Sequence, residues 1–286
     1  MEKINIAIVH GIGNEKAGYS QPLVAGVLRE FNSQLKAILK TQDEYSNEIQ
    51  FKEIVWEDIV NTNQRKLEDI LSAGETPLIR GKGLWKAICY LFQAGIRNLR
   101  KNFTPEAICD IIGYSDPVVY SKIHQRILDE THLLSNKSNL TLIGHSLGTV
   151  IAFDFVSEEQ NKPGDFCPSN FFTLGSPLAI FVLKYGTSLF KEPVKLEKPY
   201  GRWVNIYDKD DPIAYQLKML NDSYNKAVLK DFAVDTGFFG IAHLFYWGSK
   251  AVHNIIGRKL AIDWISLNNK LSFQEVQKLY ADYDKI

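Results

Sequence analysis

The stretch Leu140-Thr141-Leu142-Ile143-Gly144-His145-Ser146-Leu147-Gly148-Thr149-Val150-Ile151-Ala152-Phe153 decides the fold. Leu140, Leu142 and Ile143, with β-branched Thr141 among them, read as a short apolar strand. Val150, Ile151 and Phe153 follow without a breaker and read as the apolar face of a helix. Between them Gly144-x-Ser146-x-Gly148 makes a tight corner. A serine at a strand-to-helix corner is held in a strained backbone conformation that thrusts its hydroxyl above the sheet. Glycines two residues to either side let the strand and helix backbones pass closely. The helix N-terminus behind the serine favours the negative charge that develops during acyl transfer.

On these residues the chain resembles the α/β-hydrolase superfamily, specifically its lipase- and esterase-like serine hydrolases with a Gly-His-Ser-Leu-Gly elbow. That resemblance implies an α/β fold: a mostly parallel central sheet flanked by helices, with a helical cap or lid inserted. It makes Ser146 the nucleophile.

Working outward, Ile4–Val9 alternates and then fills with apolar residues, as a buried central strand does. It runs into His10-Gly11-Ile12-Gly13-Asn14-Glu15 and then a helix from about Pro22 to Leu39. A dinucleotide loop would need its third glycine at position 16, where Lys16 stands. A phosphate loop opening at Gly13 would need lysine after Gly18, where Tyr19 stands. The resemblance implies a third reading, an oxyanion loop, which in that superfamily often follows an early strand as His-Gly-x. The resemblance implies that the backbone N–H of Ile12, or of its neighbour Gly11, pairs with that of Leu147 to hold an oxyanion. His10 is expected to shape this loop and border the substrate.

Ile49 to Trp56 reads as a second strand. The region from about 60 to 125 departs from a bare hydrolase core and is expected to form the helical cap of a single 1–286 domain. Within it Leu84, Ile88, Leu91, Phe92, Ile96 and Leu99 recur at helical spacing, with Lys82, Lys86, Arg97, Arg100 and Lys101 opposite. This basic amphipathic helix, over about 82–101, suits a cap packed on the core or a peripheral contact with a lipid surface. Thr104-Pro105-Glu106 starts a helix ending near Gly113, and Asp116-Pro117 opens another that runs to about Leu134.

Beyond the elbow, Phe171–Leu174 reads as a buried strand ending in Gly175-Ser176-Pro177. In the resembling lipases that turn borders the cleft, which makes Ser176 a wall residue. Val194 to Tyr200 reads as a solvated loop. Trp203–Tyr207 is another strand, followed by Asp208-Lys209-Asp210-Asp211-Pro212-Ile213. A calcium loop counted from Asp208 would need Gly and Glu where Ile213 and Met219 stand. The resemblance instead puts the triad acid here: Asp211 before its Pro turn first, Asp208 next.

Val228 to Val234 closes the strands. The expected chain order is serine, acid, histidine, and only His243 and His253 lie after Asp211. His243 sits in a glycine-bracketed loop and takes the base role. His253 falls inside a helix over about Ser249–Ser266, as a surface or packing residue. The aromatics around His243, namely Phe238, Phe239, Phe245, Tyr246 and Trp247, suit a core or the wall of an apolar pocket equally, with Phe238 and Phe239 as the candidate substrate contacts. Ser272 and Glu275 make a capping box for a last helix.

Lysine plus arginine equals aspartate plus glutamate, 33 each, so net charge argues against a nucleic-acid partner. Cys89, Cys109 and Cys167 are scattered, without metal-ligand spacing, and read as buried thiols of a reducing compartment. Met1-Glu2-Lys3-Ile4 shows no charged-then-apolar leader, and no apolar run reaches the roughly 18–20 residues of a membrane span. A cytoplasmic hydrolase without metal or organic cofactor is therefore expected. Its substrate would be a small-molecule or lipid ester, with a hydrophobic acyl group. The rival expectation is a non-catalytic scaffold of the same fold, binding lipid or protein through the basic helix.

Overall fold

The computed structural model describes residues 1–12, 16–60, 111, 113–132, 134, 139–162, 166–185, 194–197, 199–238 and 241–285. Most of the expected cap, with its basic helix over about 82–101 and the helix start at Thr104, lies outside these residues. So do Cys89, Cys109 and Phe239.

Six strands form one parallel sheet: β1 (Ile4–Val9), β2 (Ile49–Ile54), β3 (Leu140–His145), β4 (Asn170–Leu174), β5 (Arg202–Asp208) and β6 (Val228–Val234), in the order β2-β1-β3-β4-β5-β6. β1 pairs with β2 on one side and β3 on the other, Ile6 standing opposite both Phe51 and Thr141. Strand order therefore reverses at β1/β3. In open parallel sheets such a switch point opens a crevice at the carboxyl ends of the strands. His10-Gly11 and Ser146 both emerge there.

The four inner strands β1, β3, β4 and β5 are buried on both faces, which is why they read as largely apolar runs, whereas the edge strands β2 and β6 are only partly buried. Ile4, Ile6 and Ile8 of β1 point to one core and Ala7 and Val9 to the other. The first core is closed by α1 (Gln21–Leu39) and α6 (Lys250–Leu267), through Leu23, Val27 and Phe31 on one and Val252, Ile256 and Leu260 on the other. These two helices approach closely at glycines: a Cβ on Gly257 would stand 2.7 Å from that of Glu30. The second core is closed by α2 (Pro117–His132) and α3 (Leu147–Glu159), through Val119, Ile123, Val150, Ile151 and Phe155. Seven consecutive residues at the start of α3, Leu147 to Phe153, are buried, and after half-buried Asp154 so are Phe155 and Val156.

Shorter helices α4 (Leu178–Tyr185) and α5 (Asp222–Ala227) follow β4 and precede β6. The last helix, α7 (Phe273–Asp284), begins with the expected capping box: Ser272 Oγ accepts from the Glu275 amide, and Glu275 Oε2 accepts from the Ser272 amide. After Val194, which is buried in the second core, Lys195, Glu197 and Pro199 are exposed, and the Lys195 amide donates to Gln160. Cys167 is half-buried rather than enclosed. Among the described residues no helix is long and apolar enough to cross a membrane.

Candidate active site

The corner at Ser146 is as tight as its glycines imply. Ser146 has φ 54° and ψ −129°, a left-handed backbone that a non-glycine residue adopts only when its surroundings impose it, at a cost of about 1–3 kcal/mol. Gly148 shows what imposes it. A Cβ there would stand 2.3 Å from the carbonyl oxygens of both Val9 and His10, so the first turn of α3 lies directly on the end of β1. A Cβ on Gly144 would stand 2.7 Å from the Thr149 Cα. The Ser146 amide donates to the Leu174 carbonyl of the neighbouring strand, and Thr149 Oγ1 donates to the Ser146 carbonyl. The peptide units around the serine are pinned from both sides.

A serine at a helix N-cap ordinarily turns its hydroxyl back on the helix amides. Ser146 makes no such bond. Its Oγ instead lies 2.8 Å from His243 Nε2, while His243 Nδ1 lies 2.7 Å from Asp211 Oδ2. Ser146 is 2 %, His243 8 % and Asp211 3 % exposed, so these bonds form where water competes poorly. The structure thus brings together the three residues singled out from sequence, from the loops after β3, β5 and β6.

Asp211 is held on every side. Its Oδ1 accepts from the Ile213 amide at 3.1 Å, and its Oδ2 also accepts from the Tyr246 hydroxyl at 2.9 Å. Burial pushes this carboxyl upward. The bonds from His243, Ile213 and Tyr246, together with the imidazolium charge, outweigh that and hold it below its ordinary value. Asp208, the second candidate, is placed differently. Its Oδ1 accepts from the Asp210 amide, and its Oδ2 accepts from the Thr236 amide and lies 2.8 Å from the Thr236 hydroxyl. It clasps the loop after β5 to the loop after β6. Asp210 is exposed.

Other expected site residues stand around this centre or away from it. Gly11 meets it directly: a Cβ there would be 2.5 Å from Ser146 Cβ and 3.1 Å from its Oγ. Ile12 is half-buried against the second core. Leu147 is the first residue of α3, where a helix amide has no carbonyl partner within its own helix. His10 shapes the loop but does not border a cleft. Its buried ring stacks on Trp56 at 4.8 Å between centroids, donates through Nδ1 to the Gly11 carbonyl and accepts from the Trp56 amide at Nε2. Burial pulls it down to about 4, so it is neutral at physiological pH. Ser176 is fully buried, not a wall: its hydroxyl is 2.7 Å from that of Thr149 and accepts from the Leu178 amide. The Gly175-Ser176 turn faces inward because it braces the first turn of α3. Phe238 is exposed. His253 is a packing residue, lying over Gly26 of α1 with Nε2 bonded to the Trp247 carbonyl.

Sequence reasoning gave no role to His145, and counted Tyr246 only among aromatics that suit a core or a pocket wall; Tyr246 is fully buried. The His145 ring stacks 5.0 Å from that of His243 and donates from Nε2 to the His243 carbonyl. Burial, with the His243 charge beside it, lowers its pKa to about 3. A neutral neighbour of this kind holds the His243 backbone without adding charge. Nothing in its neighbourhood in the chain signals that role beyond its place before the serine. Among the described residues no group of three or more His, Cys, Asp or Glu is arranged to hold a metal ion.

No protein-family model matches the chain. Two curated proteins are similar to it. One is named a probable mitochondrial phospholipase of Saccharomyces cerevisiae, 24% identical over 246 residues, covering 75% of this chain and 33% of the relative. The other is named a probable mitochondrial phospholipase of Schizosaccharomyces pombe, 27% identical over 152 residues, covering 42% of this chain and 20% of the relative. The chain therefore spans about a third or less of the length of these relatives. The expected cytoplasmic setting is corrected by these names, since both relatives are described as mitochondrial.

Proposed function

We propose that the chain is a serine hydrolase that cleaves a carboxylic ester of a lipid through Ser146, His243 and Asp211. One observation carries the reading: Ser146 Oγ, on a left-handed corner, lies 2.8 Å from an imidazole whose far nitrogen is bonded to a buried carboxylate. Similarity to two proteins named as probable phospholipases supports the lipid ester as substrate class.

In this reading Asp211 accepts a hydrogen bond from the Nδ1–H of His243, which leaves Nε2 as the acceptor facing Ser146. As Oγ attacks the acyl carbonyl, Nε2 takes its proton, and Asp211 stabilises the imidazolium. The carbonyl oxygen, now an oxyanion, takes hydrogen bonds from the backbone amides of Ile12 and Leu147. Removing one donor of this kind typically costs about 3–4 kcal/mol of transition-state stabilisation. Collapse of the tetrahedral adduct expels the alcohol, which receives the proton from His243. Water, deprotonated by the same Nε2, then releases the fatty acid and restores the serine.

Labelling with a fluorophosphonate tests this. Wild type is expected to label, Ser146→Ala and His243→Ala to stay unlabelled, and Asp211→Ala to label slowly. Labelling that persists in Ser146→Ala would remove the serine from the chemistry. Hydrolysis of a phosphatidylcholine series graded by acyl length, lost in Ser146→Ala, tests the substrate class.

A further inference from the structure

Tyr246 stands three residues after His243 and opens the second of two 3-10 turns, Ala242–Leu244 and Tyr246–Gly248. Its side chain is fully buried. Its hydroxyl meets both ends of the acid loop. It lies 2.7 Å from the Asp208 amide, which donates to it, and 2.9 Å from Asp211 Oδ2.

The direction of these bonds is forced. A phenol oxygen has one proton, and a backbone N–H can only donate. With the Asp208 amide supplying the bond the oxygen accepts, the phenol proton is left for Asp211. Burial and the neighbouring Asp211 carboxylate push the phenol far above its ordinary value, so it remains a donor throughout the working pH range. The turn after β4 is built around this contact. Gly175 has φ +57°, and a Cβ on it would stand 2.7 Å from the Tyr246 ring and 3.2 Å from Asp211 Oδ2. Only glycine leaves that space and takes that backbone together.

We infer that Tyr246 is a positioning residue for the proposed reaction. Its hydroxyl, oriented by the Asp208 amide, fixes the Asp211 carboxylate against His243 and sets the spacing of the acid and base loops. This rests on the hydrolase reading above and extends it to a residue outside the triad. Three donors then converge on Asp211: the Ile213 amide on Oδ1, and His243 Nδ1–H with the Tyr246 hydroxyl on Oδ2. Removing the phenol leaves the carboxylate free to rotate and concentrates its charge on the bond to His243.

The test compares Tyr246→Phe with Tyr283→Phe in the full chain. Tyr283 is an equally buried tyrosine whose hydroxyl donates to the Ile255 carbonyl, within the α6–α7 packing. Both variants lose a buried hydroxyl bond and are expected to melt at lower temperature. Only Tyr246→Phe is expected to lower kcat per active site, by about tenfold, the equivalent of one hydrogen bond to a charged group. The KM for a soluble p-nitrophenyl ester should stay within about twofold, as for an interaction made mainly in the transition state. The acid limb of kcat/KM should move to higher pH, because a carboxylate with one fewer donor stabilises the imidazolium more. Long-range proton–nitrogen correlations of the His243 ring are expected to shift in Tyr246→Phe and stay put in Tyr283→Phe. Unchanged kcat and unchanged imidazole nitrogens in Tyr246→Phe would reduce Tyr246 to packing. An inactive wild type would sink the hydrolase reading, while the imidazole nitrogens would still decide whether Tyr246 orders the pair.

Discussion

Gly11 and Ser146 touch: a Cβ built on Gly11 would lie 2.5 Å from Ser146 Cβ, and the Ser146 hydroxyl is 3.1 Å from the same point. The loop after β1 and the corner after β3 are thus one surface, brought together because their strands are neighbours at the switch point of the sheet. Gly11→Ala must displace either the serine or the loop. A shift of about 1 Å at a reacting centre costs on the order of 10²-fold in rate, and kcat/KM on a soluble ester is expected to fall by about that factor. Wild-type kinetics in Gly11→Ala would mean that the loop stands off the reacting carbonyl.

Gly148 faces backbone rather than a side chain, so its substitution is expected to act on the fold. The 2.3 Å approach of a Cβ to the Val9 and His10 carbonyl oxygens cannot be relieved by a rotamer change. Gly148→Ala has to lift α3 from β1, and overpacking of this kind costs about 1–3 kcal/mol or more. Urea denaturation followed by circular dichroism reads the loss. A midpoint equal to wild type would contradict the close approach.

The two aspartates are expected to separate cleanly. Asp211→Asn keeps the shape but replaces an acceptor facing His243 Nδ1 with an amide that can present a donor. In a serine triad this inversion costs about 10⁴ in kcat. Asp208→Asn breaks the clasp to Thr236 and is expected to act mainly on stability, by about 1–3 kcal/mol, through a buried hydrogen bond left unsatisfied. Measuring kcat and the urea midpoint on both variants separates the effects. Equal losses of kcat would leave Asp208 inside the chemistry.

Acid should weaken the fold through its buried histidines. Burial holds His10 at about 4 and His145 at about 3, against 6.5 when unfolded. Below about pH 6.5 the unfolded chain binds protons that the folded chain refuses, so stability falls as pH drops toward these folded values. Above that window the dependence from these residues disappears. Unfolding midpoints measured from pH 7.5 to 4.5 are expected to decline, and His145→Gln should flatten the slope. A slope unchanged by His145→Gln would mean that its ring already carries a proton in the folded state.

Much of this arrangement was legible in the chain itself. Each of the six strands declares itself by three to five apolar residues between turn signals. The capping box at Ser272 is a local pattern whose partner lies three residues away, and the corner at Ser146 is announced by glycines two residues to either side. The three-residue gap between Asp208 and Asp211 was harder. Both follow β5, and nothing local distinguishes a carboxylate that bonds Thr236 from one that bonds His243. Ser176 misled for a related reason: a Gly-Ser-Pro turn at a strand end looks alike whether it faces a cleft or, as here, braces Thr149.

The sequence by itself determined the parallel α/β fold and the strained corner, because apolar periodicity and glycine placement act over a few residues. It also supplied the serine, acid and histidine in an order that the resembling hydrolases share. Only the tertiary structure decided which aspartate meets His243, that His10 is a stacked and neutral support, and that Tyr246 joins the two loops. Those outcomes depend on distances between residues 32 to 46 positions apart in the chain. Such contacts are fixed by the order of strands in the sheet and by what burial does to charge, and no local pattern encodes either.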